Sequence, residues 1–211
     1  MLIIGAKGFA KEILEIFHQK NSTNSLFFFD DITPDSPDRL YEKFRIIKSE
    51  EEAKNVFITE GNQFTIGIGN PKLRLKMYEK FKNLGGKLVS TISNFAEIGS
   101  FGVKIKEGCN ILGGVRISND VTIGKGCIIY YNSIITHDVE IGKFCEISPS
   151  AVLLGRCKIG KMTQIGAGAT IFPDVVIGEN CIIAAGAVVR TNIPNNTMVA
   201  GVPATIKKNL K

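Results

Sequence analysis

From Ile111 onward an aliphatic residue returns every six positions: Ile111, Ile117, Ile123, Ile129, Ile135, Ile141, Ile147, Leu153, Ile159, Ile165, Ile171, Ile177, Ile183 and Val189. Fourteen successive matches to one phase exclude chance. Helical patterns repeat every 3.6 residues and strands every 2, so a strict six requires short strands separated by turns. Three hexapeptides, about 18 residues, close a triangular coil whose aliphatic leaders share one core, and coils stack as parallel strands about 4.8 Å apart. Ile92 and Ile98 extend the register upstream, with one extra residue absorbed before Ile105. Glycine follows several leaders, as in Ile123-Gly124, Ile141-Gly142, Ile159-Gly160, Ile165-Gly166 and Ile177-Gly178, and is expected to supply the backbone angles of a tight corner. The period leaves the hand of the coil open.

The five cysteines keep the same phase. Cys109, Cys127, Cys145, Cys157 and Cys181 each stand four residues after a leader, where the other occupants are Val, Ala, Ser and Thr. This reads as a second inward position in which cysteine acts as a small hydrophobe; no metal-ligand spacing occurs. Two residues after each leader the side chain faces outward, and residues 18 apart share a column. Glu107, Lys125, Lys143, Lys161 and Glu179 form a charged column expected to face solvent. Gly113, Tyr131, Pro149, Ala167 and Ala185 form a second, and Asn119, His137, Gly155 and Pro173 a third, both largely uncharged. Two such strips suit a closed homotrimer, each subunit pressing one face on a neighbour; a monomer with small corner residues gives the same pattern. His137 is either a proton acceptor or an interface histidine bonded to a neighbour. The other histidine, His18, sits in a helical pattern and reads as solvated or packed.

Residues 1–90 follow another rule. Leu2-Ile3-Ile4 reads as a buried strand, residues 5–9 as a turn and 10–19 as a helix. Residues 25–29 give a second strand ending at Asp30-Asp31, and residues 64–68 a third. A helix then runs to about Asn83, with Asn70 as cap, Pro71 in its first turn and Gly85-Gly86 beyond its end. The alternation predicts a small parallel α/β, Rossmann-like domain over 1–90, followed by a hexapeptide domain over 91–211. In such domains ligands bind beyond the carboxyl ends of strands, here at Gly5 to Phe9, Asp30-Asp31 and Gly69-Asn70. The glycine loop brings N–H groups towards a phosphate at a helix start, although only Gly5 and Gly8 of a GxGxxG are present. Ordinary tight turns are the alternative.

The net charge of +6, without long runs, fits polyanionic small ligands as well as a merely soluble surface. No basic face with interleaved aromatics points to nucleic acid, and no apolar run is long enough to cross a bilayer. Met1 to Gly5 lacks a basic flank and a cleavage site, so a cytoplasmic location without membrane attachment is expected. Lys207 to Lys211 reads as a solvated tail rather than a binder of phosphates.

Taken together, the chain resembles the left-handed β-helix sugar acetyltransferases, the group of bacterial nucleotide-amino-sugar N-acetyltransferases and sialic acid O-acetyltransferases. The residues that carry the resemblance are Ile4-Gly5-Ala6-Lys7-Gly8, Phe29-Asp30-Asp31, Ile68-Gly69-Asn70 with Arg74, His137-Asp138, the hexapeptides and Val199 to Ala204. The resemblance implies His137 as general base with Asp138 as its acidic neighbour, and acetyl-CoA as co-substrate with no metal. It implies a cofactor cleft between subunits of a homotrimer, matched by Glu146, Gly155, Ala167 and Ala185. It implies a nucleotide-linked sugar held by Gly5, Ala6, Lys7, Gly8, Asp30, Asp31, Gly69 and Asn70. Some relatives carry a second histidine where this chain has Glu146 and an asparagine where it has Tyr130. N-acetylation of a 4-amino sugar is the expected reaction; O-acetylation of a sugar hydroxyl and a non-catalytic nucleotide-sugar-binding trimer are the alternatives.

Overall fold

The computed structural model describes residues 1–210, in two compact units, 1–91 and 92–211, the last residue of the second lying outside the described residues. In the first unit the elements are β1 (Leu2–Ile4), α1 (Gly8–Gln19), β2 (Phe27–Phe29), β3 (Arg39–Leu40), β4 (Phe44–Ile47), α2 (Glu50–Thr59), β5 (Gln63–Ile66), α3 (Pro71–Asn83) and β6 (Lys87–Leu88). They build a sheet of order β3-β4-β2-β1-β5-β6, parallel except for the β3–β4 pair. The chain leaves β1 towards β2 on one side and returns to β5 on the other. That reversal opens a crevice at the carboxyl ends of the strands.

Three differences from the pattern-based reading have local causes. α1 begins at Gly8 rather than at residue 10, so the first turn is confined to residues 5–7. β2 starts at Phe27, because Ser25 takes a positive φ of 52° that a strand does not tolerate. The hairpin β3–β4 and helix α2 went unread. Their signal is Ser49-Glu50-Glu51-Glu52: the Ser49 side chain accepts from the Glu52 N–H at 3.2 Å, and three acids occupy the first turn. α3 begins as the sequence predicts, with the Asn70 side chain accepting from the Leu73 N–H at 3.0 Å and Pro71 in the first turn.

The second unit is a prism of three sheets. Leaders pair in parallel one coil apart: Ile111 with Ile129 and Ile147, Ile117 with Ile135 and Leu153, Ile123 with Ile141 and Ile159. Every leader from Ile111 to Val189, and each of the five cysteines, is buried in one continuous core. Four of the cysteines are also donors. Cys109, Cys127, Cys145, Thr163 and Cys181 form one inner column, donating in turn to the carbonyls of Gly124, Gly142, Gly160, Gly178 and Pro194, at 3.0–3.1 Å from the sulfurs and 2.8 Å from Thr163 Oγ1. Each thus satisfies a corner carbonyl turned inward, which an aliphatic side chain would leave unpaired. Burial pushes the Cys157 thiol up to about 12 and raises Cys127 and Cys181 as well, so these groups stay protonated. The charged outer column is laced by ion pairs, Lys125 to Glu107 at 2.7 Å and Lys161 to Glu179 at 3.2 Å.

The glycines after the leaders do not serve as expected. Positive φ falls two residues later in the hexapeptide, at Gly108, Gly114 and Gly126 and also at Asp120, Asn132, Asp138, Phe144, Ser150 and Arg156. Gly124, Gly142, Gly160, Gly166 and Gly178 are required by space instead: a Cβ on any of them would stand 2.5–2.6 Å from backbone of the next coil. The C-terminal segment is also corrected. Thr205–Asn209 forms a strand antiparallel to Thr197–Ala200 rather than a free tail, although its side chains are exposed; Lys211 lies outside the described residues.

Candidate functional site

In the first unit the crevice is a pocket of about 670 Å³. Gly5, Ala6, Lys7, Gly8, Asp30, Asp31 and Gly69 all line it; Asn70 stands behind them as the cap of α3. Gly5 has a φ of 107°, and a Cβ there would meet the Gly67 carbonyl at 2.8 Å. Gly67, which the sequence reading passed over, has α1 lying directly on it: its Cβ would be 2.7 Å from Ala10. At Gly8 a Cβ would meet nothing within 4 Å, so that glycine faces open pocket at the uncapped start of α1. The buried Arg74 guanidinium donates to the Gly69 carbonyl and pins the third loop.

The two aspartates divide the work. Asp30 is nearly buried and accepts from the Ile32 and Thr33 N–H groups at 3.3 and 3.0 Å and from the Thr33 hydroxyl at 2.7 Å, so it shapes its own loop. Asp31 points to Lys80, whose ammonium lies 2.8 Å from it and 3.1 Å from Glu50. Burial works against the Lys80 charge, but hydrogen bonds to Asp31 and Glu50 outweigh it and hold the amine above the ordinary lysine range. Leu73, Lys76, Met77 and Lys80 supply the pocket's α3 wall. Their spacing of 0, 3, 4 and 7 along one helix face was the available signal. Lys7 and Lys76 enter no ion pair among the described residues, which leaves two cations at the mouth for an anion.

In the second unit His137 stands at the corner after β14 (Ile134–Ile135), on a groove of about 680 Å³ lined also by Phe101, Asn119, Ile134 and Thr136. The extra residue in the hexapeptide register is spent at this corner: Ile98 pairs with Ile117, and residues 99–103 bulge so that Phe101 is 73% exposed. Asp138 follows with a φ of 61°, which turns its carboxylate back onto its neighbour. His137 Nδ1 lies 2.7 Å from Asp138 Oδ2. A carboxylate only accepts, so Nδ1 carries the hydrogen, and in the neutral imidazole the lone pair falls to Nε2. Gly155, one coil on, backs the ring: a Cβ there would stand 2.6 Å from His137 Cε1 and 2.8 Å from Nε2. The Gly155 N–H donates to no group among the described residues. A base with a fixed tautomer beside an unengaged backbone donor can take a proton and receive a developing negative oxygen.

Glu146, Ala167 and Ala185 are not brought to His137. Ala167 and Ala185 occupy the corner after β19 (Gln164–Ile165) and β22 (Ile182–Ile183), one sheet away. Glu146 lies in β16 (Glu146–Ile147) of that preceding sheet, half-buried, and accepts from Ser148 Oγ at 3.4 Å and Gln164 Nε2 at 3.3 Å. No helix among the described residues is long and apolar enough to cross a membrane.

Residues 1–81 match the PglD N-terminal domain, and residues 120–155 and 156–191 match bacterial transferase hexapeptides of six repeats each. No curated protein matches the chain significantly. Among solved structures, a variant of perosamine N-acetyltransferase from Caulobacter crescentus, in complex with CoA and GDP-perosamine, superposes with a TM-score of 0.90 at 28% identity, covering 98% of this chain and 96% of that one. The acetyltransferase domain of PglB from Neisseria gonorrhoeae gives 0.88 at 28% identity, with 98% of each chain covered. WeeI from Acinetobacter baumannii gives 0.86 at 26%, again with 98% of each. With a PglD-type domain followed by the hexapeptide prism, the chain thus resembles the left-handed β-helix sugar acetyltransferases over nearly its whole length.

Proposed function

We propose that the protein transfers acetyl from acetyl-CoA to an amino group, at the 4-position, of a nucleotide-linked deoxy sugar, and that it does so as a homotrimer. The observation that carries the reading is His137: it lines the groove, its Nδ1 is engaged by Asp138, and its Cε1–Nε2 edge packs against Gly155, whose N–H is unengaged. The pocket of the first unit would hold the nucleotide, its phosphates near the start of α1 with Lys7 and Lys76 at the mouth. Two relatives support the choice of reaction: perosamine N-acetyltransferase was solved with CoA and GDP-perosamine, and the PglB domain with acetyl coenzyme A.

In this mechanism the amine nitrogen attacks the thioester carbonyl while Nε2 of His137 takes one amine proton. The Gly155 N–H donates to the carbonyl oxygen as charge develops there. Collapse breaks the C–S bond, CoA departs as its thiolate, and the proton on Nε2 neutralises it. No covalent enzyme intermediate is needed. In a cyclic trimer the column of Ala167 and Ala185 of one subunit would face the His137 column of its neighbour, and on that basis these alanines, with Glu146, are assigned to the cofactor cleft. A cytoplasmic location belongs to the same reading, since acetyl-CoA and nucleotide sugars are found there.

The test combines purified protein, acetyl-CoA and a panel of UDP-, dTDP- and GDP-linked 4-amino sugars with sialic acid. We expect thiol release with one nucleotide amino sugar, an acetylated product stable to mild alkali, and a solution mass about three times the 23.0 kDa chain. An alkali-labile product would make the enzyme an O-acetyltransferase. Silence across the panel together with a monomer mass would remove the reading altogether.

A further inference from the structure

One coil beyond the His137–Asp138 pair, at the same corner, stands an exposed ion pair that the reaction as written leaves unused. Arg156 Nε lies 2.7 Å from Asp174 Oδ1, and its NH2 nitrogen 2.8 Å from Oδ2, a two-pronged contact. The backbone ties the same residues to the base. Arg156 N–H donates to the His137 carbonyl at 3.1 Å, and Asp174 N–H donates to the Gly155 carbonyl at 3.1 Å. Asp174 therefore grips the Gly155-Arg156 corner twice, once through the backbone and once through the guanidinium. That corner is the one that backs the imidazole.

We propose that Arg156 and Asp174 are a positioning pair for the His137–Asp138 dyad: they fix the Gly155 corner against the ring and set the local charge beside Asp138. The inference rests on His137 being the base. Asp138 and Arg156 are consecutive members of one column of left-handed corner residues, Asp120, Asp138, Arg156 and Asp174. The guanidinium is held charged first by Asp174 and further by Asp138. The other charges around the corner are paired among themselves, Glu140 with Lys158 at 2.8 Å and Glu97 with Arg116 at 3.3 Å; Asp120, one coil before Asp138, adds a second acid. Arg156 is thus the cation that follows Asp138 in this column and feels its charge.

Charge makes a prediction that loosening does not. Arg156→Gln removes a cation and favours the protonated base, so the acid limb of the kcat/KM profile moves to higher pH. Asp174→Asn removes an anion, leaves the cation unpaired, and moves that limb to lower pH. Shifts of a few tenths of a pH unit up to about one are expected, shrinking with added salt because both groups are exposed. Arg156→Gln should also lower kcat about tenfold with KM for acetyl-CoA little changed, since misplacing the ring affects the transition state. Arg156→Lys, which keeps the charge, should restore the pH profile. Profiles of both neutral variants that match wild type within error, or that move in the same direction, would overturn the proposal. His137→Ala run alongside separates the two ideas: full activity there removes the base assignment, whereas its loss with unmoved Arg156 and Asp174 profiles removes only the pair. Melting curves of each variant confirm that folded protein is being compared.

Discussion

Replacing His137 with alanine is expected to lower kcat about 10²- to 10⁴-fold, the range for loss of a positioned general base. His137 is exposed at an outer corner, outside the leader core, so the variant should fold with a melting temperature close to wild type. Nucleotide-sugar affinity should be retained, because the pocket that would hold the nucleotide is built entirely from residues 4–80. Steady-state kinetics with the substrate found by the panel would check both. Near-normal turnover would show that the amine reacts without this base, and would return His137 to the reading of an interface histidine.

The second large effect is expected from one methyl group. Gly155 lacks a positive φ, so its backbone accepts alanine without strain. The added Cβ, however, would stand 2.6 Å from Cε1 and 2.8 Å from Nε2 of His137, closer than such atoms approach. The ring must swing away, breaking the 2.7 Å contact of Nδ1 with Asp138. A displacement of this size costs on the order of 10² in kcat, and the fold absorbs it because the imidazole is free to rotate outward. Gly113 holds the same place in its hexapeptide, yet a Cβ there would meet nothing nearer than 3.6 Å. A Gly155→Ala enzyme with unchanged kcat would show that the ring does not work from this position.

How much of this was legible beforehand depends on the range of the interactions concerned. The leader series, the inward cysteines and the helix Pro71–Asn83 were readable because each follows from spacing or from a cap within four residues. Hairpin β3–β4 and α2 were not, because two- and four-residue strands carry too few positions for a period to register, and α2 has only Ala53, Val56 and Phe57 to bury. The glycines after the leaders were given the wrong reason. A sequence displays a glycine but not whether it answers to a torsion or to a neighbouring coil, and at Gly124 and Gly142 the neighbour decides.

The same division holds at the functional sites. The six-residue period was enough to give the prism, its three columns and the place of His137 on one of them, because stacking coils in register turns a linear period into geometry. Gly5, Gly8 and Asp31 were likewise visible as loop residues after strands. It took the folded chain to show that Asp30 is occupied with its own loop while Asp31 meets Lys80, a contact across 49 positions of chain. It alone set Gly155 behind the imidazole and coupled Arg156 to Asp174. Periodicity fixes which way a residue faces; which groups then meet is set by coil stacking and strand order, over separations that no local pattern encodes.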